Sequence, residues 1–239
     1  MSNTIRWGKI HGLSYSPETN LTGTASTPSF TNTKSTRFDG VDDYVSLSSI
    51  SLSSEFTISA WIKPTNIGSN TSTIINTGTS NSNRIGVYNA TNLQFKLGGS
   101  NVFLAESGGN NFVENAWQHV LIIRDSSNNM TAFRNGASFG TSVSNSNTGT
   151  FDSLFRFNNA AYSSGGLDEV AIWNSDQSAN VASIYNSGAP NDISSLNPLH
   201  WWRMGDGDTF PTLTDNGSGG NDGTMTNMTS GNIVTDVPT

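Results

Sequence analysis

The sequence predicts an all-β protein built as an antiparallel β-sandwich, and three observations support this fold class. Segments with strand character recur about every ten residues, a spacing typical of sandwiches and barrels. Hydrophobic residues make up 33% of the 239 residues and charged residues only 12%, so apolar runs alternate with polar turns. A single stretch, residues 179–187, has the apolar spacing of a helix.

The clearest strand is Phe56–Pro64, because its side chains alternate with the two-residue period of a pleated strand. The first face carries Phe56, Ile58, Ala60 and Ile62. The second face carries Trp61 among polar neighbours, so we expect other parts of the protein to cover both faces.

The middle of the chain predicts a meander followed by a hairpin. The meander strands, separated by Gly and Asn turns, are Ser72–Thr77, Arg84–Asn89, Leu93–Leu97 and Asn101–Glu106. Ala116–Arg124 is apolar almost throughout, which indicates a central strand covered on both sides. Met130–Arg134 is expected to pair with it and to turn back at Asn135-Gly136, a tight-turn dipeptide.

The last third of the chain predicts further strands and the one helix. The strands are Phe151–Phe157, Leu167–Trp173, Leu199–Met204 and Thr224–Met228. We expect Phe151, Phe155 and Phe157 to share a core-facing side. Ser178 is expected to cap the helix over 179–187, and Gly188 to end it. The final dozen residues are expected to be peripheral.

Four stretches in this order resemble a known family. They are FDGVDDYV from Phe38, FTISAWIKP from Phe56, WQHVLIIRD from Trp117 and GLDEVAIWNSDQSANVASIYNSG from Gly166. Together they resemble the LamG-like jelly-roll domains of the concanavalin A-like lectin and glucanase superfamily. The resemblance implies an antiparallel jelly-roll over residues 37–239, preceded by an N-terminal arm and first strand over residues 1–36.

One departure from the family pattern concerns the order of its motifs. LamG-like domains often begin with a strand and turn similar to LHWWRMGDGD at Leu199 and DNGSGGNDGTMTN at Asp215, which here come last. This order indicates a circular permutation, which is inexpensive when the original termini lie close together at the surface.

The resemblance suggests a function without catalysis. LamG-like chains with short polar loops and an ending of the WWRMGDGD type resemble virion structural proteins of tailed bacteriophages. The main hypothesis is therefore a capsid decoration or tail/fibre component. Its partners would be other virion proteins, it would be oligomeric or particle-bound, and it would assemble in the host cytoplasm. The alternative is a lectin-like, carbohydrate-binding adhesion module for a cell-surface glycan, assisted by calcium. A glycan hydrolase is a third hypothesis.

The composition also limits the classes of binding partner that we expect. The formal net charge of −7 disfavours phosphate backbones and anionic lipids, so neither nucleic acid nor a membrane is expected as a partner. Cysteine is absent, which excludes disulfides and thiolate nucleophiles. The first residues lack the pattern of a signal peptide, and no segment has the apolar length of a membrane span, so we expect a protein without its own export signal.

Catalytic residues are not expected. Glycosidases of this superfamily place their carboxylates in an E-x-D-x-x-E pattern, which the sequence lacks. Asp168 and Glu169 are adjacent, so on a regular strand they point to opposite faces, and a structural role is the favoured interpretation. The histidines are scattered and are expected to be structural; they are His11, His119 and His200.

Two kinds of binding residue are candidates. Calcium prefers oxygen ligands, and Asp39, Asp42 and Asp43 are the preferred candidates, ahead of Asp206 and Asp208. The alternative interpretation is that these aspartates stabilise turns. The candidates for stacking on a sugar are Trp61, Trp201 and Trp202, most of which we expect in the core, with Trp201 and Trp202 facing opposite ways.

Overall fold

The structure is a computed structural model, and it describes residues 30–52, 54–68, 72–78, 81–158 and 161–239. Most of the predicted N-terminal arm, with His11, therefore lies outside the described residues. The described strands are β1 (Ser35–Asp39), β2 (Tyr44–Ser51), β3 (Phe56–Pro64), β4 (Ser72–Asn76), β5 (Arg84–Asn89), β6 (Asn92–Leu97), β7 (Ser100–Ala105), β8 (Gln118–Arg124), β9 (Asn129–Arg134), β10 (Ala137–Ser138), β11 (Val143–Ser144), β12 (Thr150–Leu154), β13 (Arg156–Asn158), β14 (Ala161–Tyr162), β15 (Ser164–Trp173), β16 (His200–Trp202), β17 (Thr212–Leu213), β18 (Gly223–Thr226) and β19 (Ile233–Val234). The described helical elements are α1 (Val181–Tyr185) and the 3₁₀ turns Ser178–Asn180, Asn186–Gly188, Ser194–Leu196 and Ser230–Asn232.

Two large antiparallel sheets form the sandwich. The first sheet has the order β10-β9-β8-β3-β15-β1-β19, with β11 beside β9 and β16 beside β15. The second sheet has the order β17-β18-β2-β12-β4-β5-β6-β7. A small hairpin of β13 and β14 stands apart from both. The predicted all-β sandwich with one short helix is confirmed.

The main core lies between the two sheets and contains the predicted face of β3, namely Phe56, Ile58, Ala60 and Ile62. Strand β8 is buried along its whole length, as predicted for a central strand. The hairpin after it also forms, because Asn135 and Gly136 take the positive φ values of 50° and 72° that a tight two-residue turn requires.

Residues 174–199 cover one half of the outer face of the first sheet, the face that points away from the main core. A second apolar cluster forms there, consisting of Leu121, Ile123, Ala171, Trp173, Ile184, Ile193 and Trp201. Trp173 Nε1 donates a hydrogen bond to Leu196 O at 3.0 Å, which ties this segment to β15. None of the helices in the described part of the chain is long and apolar enough to cross a membrane.

The helix is shorter than predicted. Helix α1 covers only Val181–Tyr185, and no side-chain hydrogen bond caps its start, so the expected Ser178 cap is wrong. Asn186 (φ 47°) and Ser187 (φ 58°) already take left-handed conformations before Gly188. Asparagine tolerates this conformation well, which ends the helix earlier than the glycine alone would.

Two further expectations need correction. Phe155 has φ 60°, which breaks the strand, so Phe157 leaves the core and packs 3.9 Å from the guanidinium of Arg84. The final dozen residues are not peripheral, because β19 pairs with β1 at the edge of the first sheet.

The C-terminal segment lies inside both sheets. Strand β16 pairs with β15, and β18 pairs with β2, so residues after the helix complete the sandwich. A circular permutation requires this placement, and the permutation itself stays a prediction. The predicted division after residue 36 falls within β1, and it also stays a prediction.

Candidate functional site

A cleft of about 320 Å³ opens on the uncovered half of the outer face of the first sheet, and we call it the Trp117 cleft. Its lining includes Arg37, Lys63, Trp117, Gly166 and Asp236. These residues come from β1, β3, the approach to β8, β15 and the segment after β19. The sheet therefore collects in one place residues that are far apart in the sequence.

The floor of the cleft follows from strand register. Gly166 pairs with Arg37 on one side and with Lys63 on the other, so the three residues form one row across three strands. A Cβ at Gly166 would lie 2.7 Å from Trp117 Cη2, so the indole ring packs directly over this glycine. The missing side chain lets the aromatic ring lie against the sheet between two cations.

Asp236 holds one wall of the cleft in place. Its Oδ2 and Oδ1 atoms accept hydrogen bonds from Lys63 Nζ at 2.7 and 3.0 Å, and Oδ1 also accepts one from Trp117 Nε1 at 3.1 Å. The hydrogen bond from Lys63 is the main reason that the pKa of Asp236 lies below its ordinary value. Because Asp236 orients both partners, the cleft has a defined shape at neutral pH.

The tryptophans predicted as stacking candidates are buried. Trp61, Trp201 and Trp202 are 4%, 5% and 0% exposed, so none of the three offers a platform to a ligand. Trp202 lies in the main core and Trp201 in the outer cluster, which confirms that they face opposite ways. Trp117, which the sequence analysis did not single out, is instead partly exposed and lines the cleft.

Asp168 and Glu169 do not point to opposite faces, contrary to the sequence-based argument. The register between β15 and β3 shifts between Asp168 and Ala171, and Glu169 has φ 45°, which together form a β-bulge. Leu167 and Val170 both lie in the main core. The two carboxylates between them therefore share the outer side of the sheet.

The same two carboxylates are buried and fully engaged by the protein. Asp168 Oδ2 accepts from Asn32 Nδ2 at 2.8 Å, and Glu169 accepts from Trp201 Nε1 at 2.6 Å and Arg203 Nε at 3.1 Å. Burial raises the pKa of Glu169 to about 7, and burial with the neighbouring Glu169 charge raises the pKa of Asp168 well above its ordinary value. These contacts agree with the predicted structural role.

The described histidines also lie inside the protein. His119 Nε2 is 2.8 Å from Ser59 Oγ, and burial lowers the pKa of His119 to about 3. His200 Nδ1 lies 2.7 Å from Asp215 Oδ2, a carboxylate that also accepts from the backbone of Trp201 at 2.8 Å. Both pairs fix neighbouring segments, in agreement with the structural role expected of them.

The calcium candidates Asp39, Asp42 and Asp43 lie together in the turn between β1 and β2, with one oxygen of each within 4.8 Å of the others. Asp39 Oδ1 accepts from Val41 N at 2.7 Å, and Asp43 Oδ2 from Asp39 N at 3.1 Å. Burial raises the pKa of Asp43, and the charges of Asp39 and Asp42 add to this effect. The donor set fits a hard cation, and the turn hydrogen bonds of the alternative interpretation are also present.

Both members of the second acidic pair accept hydrogen bonds from backbone N–H groups. Asp206 accepts from the backbone of Thr33 and Lys34 at 2.9 and 3.2 Å. Asp208 accepts from Gly205 N and Thr214 N at 2.9 and 2.8 Å. The Asp206 contacts connect residues that precede β1 with the loop after β16, whereas the Asp208 contacts lie within the segment after β16.

Comparison with known proteins places the fold. Residues 39–182 match the Laminin_G_3 family of the concanavalin A-like lectin/glucanases superfamily. A search of curated proteins found no match. A Bacteroides ovatus protein provisionally assigned as carbohydrate-binding is 20% identical, with a TM-score of 0.63 over 87% of this chain and 62% of that protein, so this chain spans less than two thirds of its length.

A heptameric SAP-like pentraxin from Limulus polyphemus is 17% identical over 64% of this chain and 82% of its own, with a TM-score of 0.49. At such identities, structural likeness speaks for the fold alone. The family match covers more than half of the chain. The chain belongs to the Laminin_G_3 family of the concanavalin A-like lectin/glucanases superfamily.

Proposed function

We propose that this protein is a carbohydrate-binding module that holds a saccharide in the Trp117 cleft. The observation that carries the proposal is a partly exposed indole ring packed on a glycine, with hydrogen-bonding side chains around it. Saccharides combine an apolar C–H face with a rim of hydroxyl groups. An aromatic ring next to polar side chains is complementary to both.

The polar groups of the cleft suit hydroxyl recognition. Lys63 Nζ offers donors and Asp236 offers acceptors, and their mutual ion pair at 2.7 Å holds the two groups in a fixed relation. Adjacent hydroxyls of a sugar act as donor and acceptor at once, so such a pair can bind them together. The volume of about 320 Å³ is at the small end of ligand sites, which suits a monosaccharide or disaccharide.

The comparisons support this proposal in a limited way. The family belongs to a superfamily of lectins and glucanases, and the Bacteroides ovatus protein with the same fold is provisionally assigned to carbohydrate binding. Asp168 and Glu169 are buried, which favours binding without turnover.

Glycan-array screening followed by calorimetry tests the proposal. Trp117→Ala should weaken binding of the selected saccharide at least about tenfold, because it removes the stacking surface. Phe103→Ala is the matched control, since Phe103 is an aromatic residue 37% exposed on β7 of the second sheet. Absence of glycan binding, or equal affinity of the Trp117→Ala variant and the wild type, would contradict the proposal.

Calcium at the turn between β1 and β2 stays a prediction from the sequence. If an ion binds there, Asp39, Asp42 and Asp43 would hold it, because their oxygens already lie within 4.8 Å of one another. Calcium should then raise the melting temperature of the wild type and not that of an Asp39→Asn, Asp42→Asn double variant. Equal responses of the two proteins would contradict calcium binding at this turn.

Attachment to a virion stays a prediction from sequence resemblance, and the family match and structural likenesses add nothing to it. The same is true of an oligomeric state and of virion proteins as partners. Electron cryo-microscopy of the native particle with this chain labelled would test it. Ordered, symmetry-related copies would support attachment, and their absence would reject it.

A further inference from the structure

The charge of the Trp117 cleft differs in sign from that of the whole chain. The charged residues that line it are Arg37, Lys63 and Asp236, two cations and one carboxylate. The chain as a whole has a formal net charge of −7. The negative charge of the whole protein therefore repels an anionic ligand, whereas the local excess of positive charge attracts it to the cleft. Anionic ligands are thus directed to this one place.

The excess belongs to Arg37, because the other two charges neutralise each other. Both oxygens of Asp236 accept from Lys63 Nζ, and Trp117 Nε1 adds a third hydrogen bond to the same carboxylate. Lys63 Nζ lies 2.7 Å from Asp236 Oδ2, so its charge is held close to its partner. A ligand meets this pair as a nearly neutral unit.

The guanidinium of Arg37 is exposed and has no hydrogen-bond partner within the part of the chain that the structure describes. In this respect Arg37 differs from the other described arginines. Each of those donates to a side chain or backbone oxygen, as seen for Arg84, Arg124, Arg134, Arg156 and Arg203. Arg37 does contribute to the lowered pKa of Asp236, so its charge acts on the cleft.

The row across the sheet fixes where this free cation stands. Arg37 and Lys63 flank Gly166 on neighbouring strands, so their backbones are about 10 Å apart at a strand spacing of about 4.8 Å. Nothing projects from Gly166 between them, and the Trp117 ring packs against that glycine. A sugar ring stacked on the indole would therefore have Lys63 on one side and Arg37 on the other.

We infer that the Trp117 cleft binds acidic saccharides, with the Arg37 guanidinium pairing with a carboxylate or sulfate group of the sugar. The inference rests on the proposed function and names its ligand class. A guanidinium presents two parallel N–H donors that match the two oxygens of such a group, and these charge-assisted bonds are stronger than those to neutral hydroxyls. Lys63, Asp236 and Trp117 bind the rest of the ring.

Calorimetry with matched sugars tests the inference. Lactose is compared with 3′-sialyllactose and 3′-sulfolactose, and trigalacturonate with its carboxyl-reduced form, so that carboxylate and sulfate are distinguished. The wild type should bind at least one acidic sugar about tenfold or more tightly than its neutral counterpart. Arg37→Gln should remove this preference, so that its affinities for the acidic sugar and for the neutral counterpart differ by no more than about twofold.

Two further variants control the experiment. Arg37→Lys keeps the charge and loses the paired donors, so it should retain only part of the preference. Lys96→Gln removes a cation from β6 in the second sheet and should behave as the wild type. Circular dichroism and melting curves establish that each variant is folded.

The possible results separate this inference from the proposed function. Equal binding of acidic and neutral sugars by the wild type, or an acidic preference that survives Arg37→Gln, overturns the inference. If binding is nonetheless lost in Trp117→Ala, the proposed function stands without it. If no sugar binds to the wild type, both fail.

Discussion

Replacing Glu169 by Gln tests whether the fold buries a carboxylate at an energetic cost. The side chain is 5% exposed and accepts hydrogen bonds from Trp201 and Arg203. Burial nevertheless raises its pKa from the ordinary 4.5 to about 7, against the opposing effect of the Arg203 charge. The folded protein therefore holds this proton more tightly than the unfolded chain does.

The size and sign of the effect follow from linkage. The interval from 4.5 to about 7, at about 1.4 kcal/mol for each pKa unit, corresponds to about 3 kcal/mol. Because the folded pKa is raised, Glu169 lowers the free energy of unfolding as pH rises from about 4.5 to about 7. Glutamine does not titrate, so the stability of Glu169→Gln relative to the wild type should increase by this amount over that window.

Urea denaturation followed by tryptophan fluorescence at intervals from pH 4 to pH 8 measures the difference. Asp192→Asn is the control, because the hydrogen bond from Ser194 lowers the pKa of Asp192 and places its titration below the window. Its stability relative to the wild type should be constant between pH 4.5 and 7. A constant difference for Glu169→Gln as well would refute the argument that burial controls this carboxylate.

Three further predictions follow from the same contacts. Asp168→Asn should gain stability relative to the wild type as pH rises above about 4, because burial raises the pKa of Asp168; urea curves that stay parallel with pH would contradict this. The imidazole of His119 should remain neutral at pH 5 by nitrogen NMR, because burial lowers its pKa to about 3. The neutral form therefore contributes stability that is present above pH 6.5 and lost as pH falls toward 3, and a protonated ring at pH 5 would exclude it. Gly166→Ala should weaken saccharide binding at least about tenfold, since its Cβ would meet Trp117 at 2.7 Å. The control Gly231→Ala, whose Cβ has its nearest contact at 3.4 Å, should bind as the wild type does. Equal affinities of the two variants would contradict the packing of the ring on the glycine.

The fold was predictable because its signals are local. The two-residue alternation in Phe56–Pro64 identifies the inner and outer faces of β3, and Asn135-Gly136 identifies the hairpin after β8. Unusual backbone conformations at single residues could not be predicted from the sequence in this way. The positive φ values of Phe155 and Glu169 belong to residues with no sequence preference for them, and each one reverses which way the following side chains point.

The site could not be predicted in the same way, because it depends on register between distant strands. Arg37, Gly166 and Lys63 share a row only through the pairing of β1, β15 and β3. Asp236 lies in a segment expected to be peripheral. The one local signal was the pair Gly165-Gly166 at the start of an otherwise large-residue strand, since glycine in a strand often marks close approach of another group.

The position of Asp236 in the cleft matters for protein engineering. Asp236 contacts Lys63 and Trp117, so an affinity tag inserted next to it would lie at the mouth of the cleft and compete with ligands during immobilisation. The turn that follows β8 offers a better attachment point, because Ser126 is exposed and β8 separates it from Trp117 by about 20 Å. Since the chain contains no cysteine, Ser126→Cys would give a single thiol for biotin, with the cleft facing the solution.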